Sequence, residues 1–104
     1  METEREEEHP FSSKKTIVTF KETPLMSTYL IAFVVGDFES ITSETKNKVK
    51  VSVFSPPNKT DLSHFALDVA TKTLDYFSNY FKIDYPLSKC DLIAISEFPI
   101  GFFF

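Results

Sequence analysis

The sequence predicts a mixed α/β chain with its elements in the order β-β-β-α-β. Three observations predict it. Lys48 to Phe54 alternates apolar and polar residues, Thr60 to Lys82 repeats apolar residues every three or four positions, and β-branched or aromatic runs lie on either side of these two segments. At 104 residues, with 42% hydrophobic and 25% charged residues, the chain is long enough for one small domain with a modest core.

Along the chain, residues 1–14 are polar and predict a solvated tail or a loop. The net charge of −4 sits there, in Glu2, Glu4, Glu6, Glu7 and Glu8 against Arg5. Thr16 to Lys21 predicts a short strand, ended by Glu22-Thr23-Pro24 because proline supplies no backbone donor. Ser27 to Phe38 gives the strongest strand signal. It lacks alternation, which predicts that both faces are covered by protein. Gly36 near its end suggests a bulge or a close approach of backbone. Ser40 to Asn47 predicts a turn. In Lys48 to Phe54, Val49, Val51 and Val53 should point inward and Lys50 and Ser52 outward.

A helix is predicted from about Leu62 to Phe81, burying Leu62, Phe65, Ala66, Val69, Leu74, Phe77 and Phe81, with Thr60 or Asp61 as the cap at its start. Tyr85-Pro86 stops it, and Asp91 to Ile95 predicts a short buried strand that completes a βαβ-like unit.

Composition excludes several functions. Beyond residue 8 the acidic and basic groups balance, so there is no basic footprint for nucleic acid. The two glycines, Gly36 and Gly101, exclude glycine-rich phosphate loops. A single cysteine, Cys90, excludes an internal disulfide framework and fits a reducing compartment. No stretch approaches the 18 or so apolar residues that span a bilayer, so no membrane partner is expected. The acidic start is unlike a secretory leader, which predicts a cytoplasmic protein and makes the Asn58-Lys59-Thr60 sequon a chance match.

Few residues could carry chemistry. Asp61, His64 and Asp68 share one helical face and could hold a metal, although a solvated polar face reads the same way. His9 lies in the acidic segment. There is no GxSxG context for a nucleophilic serine. Cys90 follows the cation Lys89 but opens an apolar strand, which favours structural burial. Phe65, Tyr76, Phe77, Tyr80 and Phe81 could stack bases, but their helical spacing reads as core. Phe102-Phe103-Phe104 cannot all face one core, so at least one of the three should be exposed.

Thr23-Pro24-Leu25-Met26-Ser27-Thr28-Tyr29-Leu30, with Ile31 to Phe38 after it, resembles the TPxMSTYLxAFxVxDF segment of the zinc aminopeptidases of the aminopeptidase N and puromycin-sensitive aminopeptidase type. The resemblance continues in register through Phe65-Ala66-Leu67, Leu74-Asp75-Tyr76-Phe77 and Tyr80-Phe81. It then runs through Tyr85-Pro86-Leu87-Ser88-Lys89-Cys90-Asp91-Leu92-Ile93-Ala94 to Glu97-Phe98-Pro99-Ile100-Gly101, covering about residues 16–101.

The resemblance implies an internal fragment of such an enzyme. Residues 15–42 would be the last strands of a β-rich N-terminal domain, and residues 43–104 the first β-α-β part of a thermolysin-like catalytic domain. Gly101 matches the first residue of the family's substrate-binding GAMEN motif, a backbone role. Phe102, Phe103 and Phe104 stand where alanine, methionine and glutamate would be. The zinc motif HExxH is not in the chain. Zinc and a peptide substrate are therefore expected of the full-length family, with no catalytic or metal-binding residue in this chain and no activity by itself. A non-catalytic binding or regulatory module is the alternative. Either way, open strand edges predict self-association.

Overall fold

The computed structural model describes residues 2–95. The expectations for Gly101 and Phe102 to Phe104 lie outside the described residues. The chain divides into two compact units between Val35 and Gly36.

The first unit is a β-hairpin. Strand β1 (Thr3–His9) pairs antiparallel with β2 (Ser12–Phe20), setting Glu6 opposite Val18 and Glu8 opposite Thr16. Thr3–His9 and the start of β2 are thus largely exposed strand, where the sequence predicts a solvated tail or loop. A hairpin exposed on both faces needs no apolar stripe, so a glutamate-rich strand can form once Thr16 to Phe20 supplies the ladder. Charges add support: the Lys21 ammonium lies 3.0 Å from the Glu2 carboxylate, and Arg5 lies 2.9 Å from Glu7.

Ser27 to Phe38 is not a strand. A single 3-10 turn (Thr28–Leu30) is capped by Ser27, whose hydroxyl accepts the Tyr29 amide at 3.3 Å. The remaining residues there are irregular, and Leu25, Phe33 and Val35 are exposed. Strand propensity reflects packing against neighbours, and no described strand pairs with this run. A Cβ at Gly36 would meet the Phe38 ring at 3.0 Å, a side-chain contact and not the bulge or backbone approach expected there.

The second unit is a three-stranded sheet with one helix. Its strand order is β3 (Glu39–Glu44), β4 (Lys50–Ser55), β5 (Lys89–Ile93), with β3–β4 antiparallel and β4–β5 parallel. Helix α1 (Thr60–Phe81) connects the parallel pair, forming the βαβ unit that the pattern predicts. Strand β3 replaces the turn expected over Ser40 to Asn47. Ile41 is its inward residue, and the serines and threonines that read as turn chemistry are tolerated because β3 is an edge strand.

The core is Val51, Val53 and Leu67, packed on by Ile41, Ala66, Ala70, Leu74 and Leu92. Val49, Val51 and Val53 are buried as expected, but so is Ser52, whose hydroxyl lies 3.0 Å from that of Thr42 on β3. The helix is where the periodicity places it, yet it turns a different face inward. Ser63 and Leu67 are buried and Ala66, Ala70 and Leu74 partly so, whereas Leu62, Phe65, Val69, Phe77 and Phe81 are exposed. Small residues let the helix approach the sheet closely. Leu62, Phe65 and Val69 point away from it, whereas Phe77 and Phe81 share the side of Leu74 but stay open to solvent.

Candidate functional site

Asp61, His64 and Asp68 lie on α1 in its first two and a half turns, and all three are exposed. The Asp68 carboxylate accepts from the Lys72 ammonium at 2.8 Å, one turn further on. Among the described residues, no three His, Cys, Asp or Glu side chains come together in a way that could hold a metal ion. His9 belongs to the hairpin unit, where its Nδ1 accepts the Phe11 amide at 3.2 Å.

The most organised polar cluster lies at the start of β5. Lys89 and Asp91 form a partly buried ion pair. Tyr85 is partly buried beside Cys90 and Asp91. Burial first, then the Cys90 thiol and the Asp91 carboxylate, push its phenol above the ordinary tyrosine range. Cys90 is an unpaired thiol of intermediate burial. Sequence reasoning saw Cys90 and Lys89 as neighbours but missed Tyr85. The signal was Tyr85-Pro86, read only as a helix stop, although it also returns the chain to the strand.

Beneath the end of α1, Leu74, Phe77, Phe81, Ile83, Tyr85 and Pro86 line an open apolar pocket of about 270 Å³. Asp84 on its rim accepts from the Asn47 side chain at 3.0 Å, tying the segment after the helix to the β3–β4 turn. This arrangement can seat an apolar group. Its polar lining is limited to Ser78, Asp84 and the Tyr85 phenol.

The sequence is similar to known proteins. The family described as Peptidase family M1 domain matches residues 65–102, which include most of α1 and all of β5. Puromycin-sensitive aminopeptidase of Caenorhabditis elegans is 44% identical over 88 residues, 85% of this chain and 9% of that protein. Aminopeptidase M1 of Arabidopsis thaliana is 48% identical over 85 residues, 82% of this chain and 10% of that protein. Human endoplasmic reticulum aminopeptidase 1 is 49% identical over 82 residues, 79% of this chain and 9% of that protein. The chain therefore spans about a tenth of the length of the curated relatives it matches.

Proposed function

Because the chain belongs to peptidase family M1, in its aminopeptidase N-type branch, we propose that it carries a supporting portion of an enzyme that removes N-terminal amino acids from peptides. The observation that carries this reading is the extent of the match. Identities of 44–49% over 79–85% of the chain all fall on aminopeptidases. The role read here is architectural. The βαβ unit sets β5 in place, the strand that precedes the stretch carrying the family resemblance to its substrate-binding motif.

Zinc is the metal of the family's reaction, but the described residues do not fit it. No step of hydrolysis is assigned to them, and these 104 residues are not expected to hydrolyse peptides by themselves. The free thiol of Cys90 suits a reducing compartment, and a cytoplasmic setting is part of the proposal. No described helix is long and apolar enough to cross a membrane.

The test is an assay of the purified chain on an aminoacyl chromogenic substrate, with micromolar zinc and with a chelator. No turnover is expected under either condition. Chelator-sensitive turnover that follows the chain through purification would overturn the reading and direct attention to Asp61, His64 and Asp68.

A further inference from the structure

The pocket at the end of α1 combines aromatic rings with a single charge. Phe77, Phe81 and Tyr85 line it, and its one charged lining residue is Asp84. Phe77 and Phe81, one turn apart, stack with ring centroids 5.7 Å apart and planes 26° from parallel, and they are exposed by 47% and 59%. Lys82 stands between Phe81 and Ile83 in sequence but does not line the pocket.

Two further observations call for a positive charge. Phe81 is the last residue of α1, so the pocket lies at the carbonyl end of the helix, and the last turn of α1 holds no basic residue. The free carbonyls at such an end carry the negative pole of the helix dipole. Asp84 accepts from the neutral Asn47 side chain at 3.0 Å and, among the described residues, forms no ion pair. We propose that this pocket binds a small quaternary ammonium compound of the choline type, its methyl groups on the aromatic rings and its charge offset by Asp84 and the end of α1. Aromatic rings attract such cations through the negative faces of their π-systems.

Size and lining narrow the ligand. At about 270 Å³ the pocket falls below the range that holds drug-sized molecules, so its occupant is small. A primary ammonium carries three donors that need acceptors, whereas Asp84 is already engaged by Asn47 and the Tyr85 phenol lies beside Cys90. A charge spread over methyl groups needs no acceptors and suits an apolar wall. A ligand with a phosphate next to its ammonium would set that phosphate against Asp84, so a free choline-type compound fits better than a lipid headgroup. The proposal does not depend on the aminopeptidase reading.

Titrating the full chain with choline, followed by the amide resonances of Phe81, Ile83, Asp84 and Tyr85 in heteronuclear NMR, tests it. Choline up to about 50 mM, at constant ionic strength, brackets the millimolar affinity expected of a solvent-open aromatic site. Those amides should shift and saturate. The neutral isostere of choline, with a tert-butyl group in place of the trimethylammonium, should bind about fivefold more weakly. Asp84→Asn keeps the acceptor for Asn47 but removes the charge, and Phe81→Leu removes an exposed ring. Each should keep the circular dichroism of the fold and weaken choline about threefold or more. No saturating shift at these amides, an isostere that binds as tightly as choline (an apolar groove with no preference for charge), or a choline affinity indifferent to either substitution in folded protein would each overturn the proposal.

Discussion

Thr45 and Val49 close the β3–β4 hairpin with two hydrogen bonds to each other. The Thr45 amide donates to the Val49 carbonyl at 3.0 Å, and the Val49 amide donates to the Thr45 hydroxyl at 3.1 Å. Both residues are buried, so the Val49 amide has no water to fall back on. Thr45→Val keeps the side-chain shape but removes the acceptor. A buried donor left unpaired costs roughly 1–3 kcal/mol, and that loss is expected in urea unfolding. Thr45→Ser, which keeps the hydroxyl, should recover most of it.

Ser55 gives the opposite expectation. Its hydroxyl is buried at the end of β4 without a hydrogen-bond partner. Removing an unpaired polar atom removes its desolvation cost, so Ser55→Ala should raise stability by about 1 kcal/mol. Equal or lower stability in the same unfolding measurement would show that the hydroxyl is satisfied in solution.

Tyr85 predicts a loss of stability at high pH. Its folded-state pKa is raised, by burial first and then by Cys90 and Asp91, so the fold favours the neutral phenol over the tyrosinate. The unfolded chain releases this proton near pH 10 and the folded chain releases it later. The contribution is therefore complete below about pH 10 and is lost as pH rises through the folded value. Ultraviolet titration should show one tyrosine ionising late, and Tyr85→Phe should remove that component and flatten the fall in stability above pH 10.

Regular patterns with a partner inside the chain were legible in the sequence. The Val49-Val51-Val53 alternation became the central strand, and the 3.6-residue repeat became α1. Strands β1 and β3 were not legible because neither buries an apolar stripe. One is glutamate-rich in a two-sided hairpin, and the other is an edge strand of serine and threonine around Ile41. Ser27 to Phe38 erred the other way, showing full strand propensity where the described structure has no strand to pair with it. The inward face of α1 was misread because periodicity locates apolar residues without saying which of two apolar sides meets the sheet. Phe65 and Val69 point out, and Ala66 and Ala70 pack in. At the candidate site, the placement of Asp61, His64 and Asp68 on one helix was legible. The Tyr85 cluster was not, because it forms only when the chain after α1 folds back beside β5.

If this chain is, as proposed, a supporting portion of an M1 aminopeptidase, it should serve in place of the matching stretch of a relative. A chimera tests it most directly. The matched stretch of human endoplasmic reticulum aminopeptidase 1, 82 residues at 49% identity, is replaced by the corresponding residues of this chain, and aminopeptidase activity is measured with and without chelator. The account predicts a folded chimera whose chelator-sensitive activity stays within about tenfold of the parent, a loss of no more than about 1.4 kcal/mol in transition-state stabilisation. A chimera that folds with the parent's melting temperature but has lost its activity would contradict it.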